Sequence, residues 1–121
     1  MPSHETVGDS VREHAHLLER DSQQSPAESM KRDVDQHVLG IALDIARDRQ
    51  GSEAVDRRLD DITKGAEEFS RDNDSARQLA LRTVAAPYMA EAGCALRDQL
   101  DKDGYAKIAQ HLPSCTIENK K

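Results

Sequence analysis

The chain has 121 residues, a length that suits a single domain. Its 23 acidic and 17 basic side chains give a net charge of −6. This balance argues against nucleic acid as the main partner, because binding to phosphates depends on clustered Lys and Arg. No apolar run approaches the length that a membrane-spanning helix needs, so the sequence also argues against a membrane partner.

The first half of the chain carries two predicted helices. The first covers residues 9–20, where Val11, Ala15 and Leu18 recur at helical spacing. The second covers residues 26–49, and its start has the pattern of a capping box, with Ser25 as the cap and Glu28 three residues later. Gly51 is placed to end this helix, because glycine is the residue most often found just beyond a helix C-terminus.

The second half predicts three more helices. One covers residues 53–70, with the apolar stripe Val55, Leu59, Ile62, Ala66 and Phe69. A long helix over residues 75–100 should be kinked or split at Pro87, because proline lacks the N–H that the helix needs. A short last helix covers residues 104–112.

No segment alternates polar and apolar residues as a half-buried strand does. We therefore predict an all-α fold, a small antiparallel bundle of four to five helices. Residues 9–113 should form the single domain, with a flexible N-terminus at residues 1–8 and a tail at residues 114–121. Only 22 residues are Leu, Ile, Val or Phe, so the core should be thin.

The two cysteines suggest a disulfide. Cys94 and Cys115 lie at nearly equal distances from the predicted turn at residues 101–104. If the last helix folds back there, the two thiols become neighbours, and a bridge would add about 2–4 kcal/mol to the stability. The alternative is two reduced cysteines, one buried and one in the tail.

Arg32 and His37 have the spacing of a known ribonuclease motif. The Arg-x4-His pattern resembles that of HEPN domains, which are also small all-α folds. The resemblance implies that Arg32 would stabilise charge at a scissile phosphate while His37 moves a proton. With 11 Arg and 5 His in the chain, such a spacing also arises by chance. The alternative is a partly buried histidine at a helix interface.

The sequence predicts no metal and no cofactor. Asp101, Asp103 and Gly104 resemble the middle of a calcium-binding loop, but Gln99 and Gln110 occupy two positions where the motif needs carboxylates. No Cys-x-x-Cys pair and no glycine-rich phosphate loop is present in the sequence.

These observations favour a non-enzymatic protein–protein interaction module, such as a regulator, an inhibitor, an immunity protein or an adaptor. Its partner would be a protein, with a basic surface favoured by the acidic balance, and a homodimer is a further option. The predicted interaction face consists of acidic residues of the second helix, Glu28, Asp33, Asp35, Asp44 and Asp48. The alternatives are the HEPN-like ribonuclease and a disulfide-stapled periplasmic or secreted domain.

The compartment is predicted from the N-terminus. Residues 1–6 lack the positive and apolar regions of a signal peptide, which favours the cytoplasm. A periplasmic or secreted protein that has lost its leader is the alternative.

Overall fold

The protein is a bundle of α-helices. The computed structural model describes residues 6–24, 26–70 and 73–112, and no strand occurs among them. The helices are α1 Thr6–Gln24, α2 Ala27–Gln50, α3 Ser52–Ser70, α4 Asn73–Ala85, α5 Met89–Lys102 and α6 Ala106–Ala109. The predicted all-α class and the helical bundle are confirmed.

Helix α2 begins and ends where the local signals placed it. Pro26 stands before its first residue in an extended conformation, with φ −67° and ψ 156°. Gly51 ends it with φ 94°, a left-handed conformation that costs glycine little, and the Gly51 N–H donates to the carbonyl of Arg47. Ser25, the predicted cap, lies outside the described residues.

The long helix predicted over residues 75–100 is divided at Pro87. Helix α4 ends at Ala85, a single 3₁₀ turn covers Ala86–Tyr88, and α5 begins at Met89. Proline is accommodated in the first positions of the 3₁₀ turn, where its missing N–H removes no helical hydrogen bond.

The first and last helices differ in length from the predictions. Helix α1 covers Thr6–Gln24 rather than residues 9–20, so residues 6–8 of the predicted flexible N-terminus are helical. Helix α6 covers only Ala106–Ala109, and the rest of the predicted range 104–112 is largely turns. Gly104 makes the bend before it with φ 86°. The predicted tail at 114–121 lies outside the described residues.

The core is built from aliphatic and small side chains. Among the described residues, alanine provides eight of the 24 buried apolar residues, and the largest fully buried side chains are Leu18, Ile41, Leu96, Leu100, Val55 and Val84. Helix α2 lies centrally, in contact with α1, α3, α4 and α5, whereas α3 packs mainly against α4. Within the described helices, none has both the length and the apolar character needed to cross a bilayer.

Candidate functional site

The five acidic residues predicted to form an interaction face lie on two sides of α2. Helical geometry places Glu28 and Asp35 on one side and Asp33, Asp44 and Asp48 on the other. Two of the carboxylates are engaged within the chain. Arg82 Nη2 donates to Asp35 Oδ2 at 2.6 Å, and Ser10 Oγ donates to Asp44 Oδ2 at 2.5 Å. The structure therefore does not bring the five together.

Cys94 lies on α5, where it is half-buried and is not a free thiol. Its predicted partner, Cys115, lies outside the described residues. The Cys94–Cys115 bridge stays a prediction.

Arg32 and His37 occupy different environments on α2. Arg32 is exposed, whereas His37 is half-buried against α1. Five residues along a helix correspond to a rotation of about 140°, so the two side chains leave α2 in different directions. His37 has the environment of the alternative interpretation, a partly buried histidine at a helix interface. The HEPN-like ribonuclease stays a prediction that incubation with RNA would test.

A pair of histidines joins α1 to α2. His14 Nδ1 lies 2.7 Å from His37 Nδ1, and the two rings meet edge to face with centroids 5.0 Å apart. His37 Nε2 lies 3.3 Å from Asp21 Oδ2 on α1. This pair is not among the predicted sites, although the two histidines are equidistant from the junction of α1 and α2.

The histidine pair holds a limited number of protons. A hydrogen bond between the two Nδ1 atoms needs one donor and one acceptor. Only one of the two Nδ1 atoms can therefore carry a proton while the contact lasts. Burial, reinforced by the neighbouring His37, lowers the pKa of His14, and Asp44 and Glu13 oppose part of that shift. The arrangement favours a neutral His14 that binds to its partner ring.

Gly40 gives the histidine ring its place. A methyl group added to Gly40 would lie 3.0 Å from His14 Cε1 and 3.1 Å from His14 Nε2. The ring therefore packs directly on the backbone of α2. The histidine pair thus adds a hydrogen bond and a ring contact to the packing of α1 against α2. Among residues 6–24, 26–70 and 73–112, no group of three or more His, Cys, Asp and Glu side chains could hold a metal ion.

A small cavity lies between α2 and α5. Its volume is about 280 Å³, and its lining includes Val34, Val38 and Met89, with Lys31 and His111 among the polar residues. That volume falls just below the range typical of ligand sites.

Among the described residues, the most exposed large apolar side chain belongs to α3. Phe69, the single phenylalanine of the chain, is 89 % exposed. The apolar stripe predicted for this helix is buried at Val55 and Leu59 alone, while Ile62 and Ala66 are half-buried. The C-terminal half of α3 thus extends past the well-packed core with its apolar edge only partly covered.

Exposed residues on the outer side of α3 form a surface that we call the α3 face. Its members are Ala54, Arg57, Arg58, Asp61, Lys64, Gly65, Glu68 and Phe69. Within the described part of the chain, none of its charged side chains takes part in an ion pair or a side-chain hydrogen bond. A methyl group added to Gly65 would meet no atom within 4 Å.

Comparisons with known proteins add no relative. No protein-family model matches the chain, and neither the curated proteins nor the solved structures contain a significant match.

Proposed function

We propose that the chain is a non-enzymatic protein–protein interaction module whose binding surface is the α3 face. The regulator, inhibitor, immunity and adaptor roles all operate through such a surface. The observation that carries the proposal is the exposure of Phe69 next to a set of charges that have no partner within the described part of the chain.

The exposed Phe69 side chain contributes little to the stability of the isolated chain. Full burial of a phenylalanine side chain contributes about 1.5–3 kcal/mol, and with 89 % of its surface exposed Phe69 contributes little of that to folding. Aromatic side chains are among the residues enriched at the centre of protein interfaces. Phe69 is therefore the residue on which we expect a partner to pack.

The charges of the α3 face differ from those that link neighbouring helices of the bundle. On other helices, long basic side chains reach across to neighbouring helices: Arg82 pairs with Asp35, and Arg49 Nη2 lies 2.5 Å from Glu91 Oε2. Charges at an interface select the partner and orient it. The α3 face presents both signs, so it favours a partner with a matching alternation of charge over a uniformly basic one.

The placement of the acids of α2 also supports a surface on α3. Asp35 and Asp44 already interact with Arg82 and with Ser10, and a partner would have to compete with those contacts. The residues of the α3 face are not subject to that competition. Glu28, Asp33 and Asp48 are not subject to it either within the described residues, but they lie on two sides of α2, whereas the α3 face is one surface beside an exposed phenylalanine. This is why we assign the binding surface to α3 rather than to the acids of α2.

The experiment compares three tagged proteins in affinity purification from cells that also express the untagged chain. They are the wild type, Phe69→Asp, and Leu79→Asp as the matched control, since Leu79 is 54 % exposed on the neighbouring helix α4. We expect at least one protein, the untagged chain included, to be retained by the wild type and by Leu79→Asp but lost with Phe69→Asp. Identical sets of retained proteins in all three samples would overturn the proposal.

A further inference from the structure

Four charged residues of α3 form one longitudinal stripe. Arg57, Asp61, Lys64 and Glu68 follow one another at spacings of four, three and four residues, which places them on the same side of the helix. Their signs alternate along the stripe: positive, negative, positive, negative. All four side chains are exposed, and within the described residues none forms an ion pair.

We infer that a second copy of this chain covers the α3 face, with the two α3 helices packed antiparallel about a twofold axis. The axis crosses the α3 face at the level of the helix midway between Ile62 and Thr63. The inference rests on the proposed function, because it names the partner of the same surface. It follows from the order of charges along the stripe, which is complementary to itself when the helix is reversed.

The pairing can be worked out from the twofold axis. With the axis between Ile62 and Thr63, Arg57 lies opposite Glu68 of the second copy, and Asp61 lies opposite Lys64 of the second copy. The symmetry repeats both contacts, so every charge of the stripe meets an opposite charge. A parallel, in-register pairing would instead place each charge against its own copy. The charge pattern therefore selects the antiparallel arrangement.

The uncharged residues of the α3 face agree with the same arrangement. Near the axis, Gly65 has no side chain, and the open space beside it allows the two backbones to come close. Phe69 reaches the opposite end of the second helix, where Ala54 and the aliphatic part of Arg58 are exposed. The reversed pairing thus also covers the apolar side chain that the bundle leaves most exposed.

The contact is narrow, and this sets its expected strength. Helix α3 has 19 residues and is therefore about 28 Å long. A contact that is one helix wide buries less surface than the interfaces of permanent dimers. We expect a dimer that dissociates on dilution and that is weakened by salt, because exposed charges are screened.

The test is analytical ultracentrifugation of four purified proteins, each with the whole 121-residue chain, over a wide range of concentration. They are the wild type, Arg57→Glu, the double variant Arg57→Glu/Glu68→Arg, and Arg20→Glu as the control. Arg20 is exposed on α1 and has no ion pair within the described residues. Circular dichroism melting checks that all four proteins are folded, which we expect because every substituted side chain is exposed.

The expected result is a dissociation constant raised about tenfold or more by Arg57→Glu, equivalent to about 1.4 kcal/mol or more. The double variant should restore dimerisation, because positions 57 and 68 then carry opposite charges again and still face each other across the axis. Arg57 and Glu68 are eleven residues apart, about 16 Å along one helix, so this rescue cannot arise within one chain. Arg20→Glu should dimerise like the wild type.

Three results would overturn the inference: a wild type that stays monomeric at every concentration, a dimer that Arg57→Glu leaves unchanged, or a weakening that Glu68→Arg does not rescue. The proposed function fails separately. If the chain is monomeric but Phe69→Asp loses a different protein in the affinity purification, the proposed function stands and the second copy is excluded. If neither assay shows binding, both are wrong.

Discussion

Replacement of Gly40 by alanine tests the packing of the His14 ring on the backbone of α2. In the interior of a helix, alanine is favoured over glycine by about 1 kcal/mol. Against this gain, the new methyl carbon would lie 3.0 Å from His14 Cε1, closer than the roughly 3.5–4.0 Å at which carbon atoms attract each other. If the ring retreats, it lengthens the 2.7 Å hydrogen bond to His37.

The two effects predict that Gly40→Ala changes the free energy of unfolding with opposite signs in the wild type and in a His14→Ala background. Overpacking typically costs about 1–3 kcal/mol, so in the wild type Gly40→Ala should lower the free energy of unfolding by about 1 kcal/mol after the gain in helix propensity. In a His14→Ala background the ring is absent and only the propensity remains. There Gly40→Ala should raise the free energy of unfolding by about 1 kcal/mol.

The measurement is urea unfolding of the wild type, the two single variants and the double variant, followed by far-UV circular dichroism. At about pH 8 both histidines are neutral in the unfolded chain, so protonation does not contribute. The double-mutant cycle should give a coupling free energy of about 2 kcal/mol between the two positions. An equal stabilisation by Gly40→Ala in both backgrounds would refute the packing of His14 on Gly40.

Three further outcomes are expected. Lowering the pH below about 6.5 should decrease the free energy of unfolding. The pKa of His14 is lowered in the folded state, so the unfolded chain takes up a proton at a higher pH than the folded chain does. The stability present above that pH is therefore lost as the pH falls. A His14→Asn variant should show a shallower decrease by circular dichroism. Leu96→Ala should lower the unfolding free energy by about 2–5 kcal/mol, since Leu96 is fully buried, and wild-type melting behaviour would contradict this. If Cys94 and Cys115 are bridged, intact-mass spectrometry should show that reduction raises the mass of the chain by two hydrogen atoms. An unchanged mass would exclude the bridge.

Local signals in the sequence were sufficient to predict the bounds of α2 and the break at Pro87. Pro26 and Gly51 mark the ends of α2 because each acts through its own backbone, one by a fixed φ and the other by tolerance of a positive φ. Pro87 divides the long helix for the same kind of reason. Such effects depend on nearest neighbours alone, and therefore they can be predicted without knowledge of the tertiary structure.

Burial along α3 could not be predicted in the same way. Periodicity identifies which side of a helix is apolar, but it does not tell how far along that side a neighbouring helix extends. Val55 and Leu59 are covered by the bundle, whereas Phe69 lies beyond it. The stripe was predicted in full, and the structure buries only its first part. The exposed remainder became the candidate site.

The histidine pair can be predicted from the sequence by the same geometry as the cysteine pair. Equal distance from a turn was used to relate Cys94 to Cys115, but the same rule applies to any antiparallel helix pair. Applied to the junction of α1 and α2, it places His14 opposite His37, as observed. The His14 side chain then lies against Gly40, where a larger residue would collide with it.

The charges show why a site on this protein needs the structure as well as the sequence. The sequence alone does not distinguish the acids of α2 from the charges of α3 as exposed, unpaired groups. The acidic net charge of the chain favours the acids of α2. The structure pairs Asp35 with Arg82 across two helices, while the exposed stripe of α3 makes no such contact within the described residues. The self-complementary order of Arg57, Asp61, Lys64 and Glu68 can be found in the sequence, but it acquires meaning only because the fold leaves those side chains exposed beside Phe69. Both facts are needed to propose a second copy of the chain as the partner.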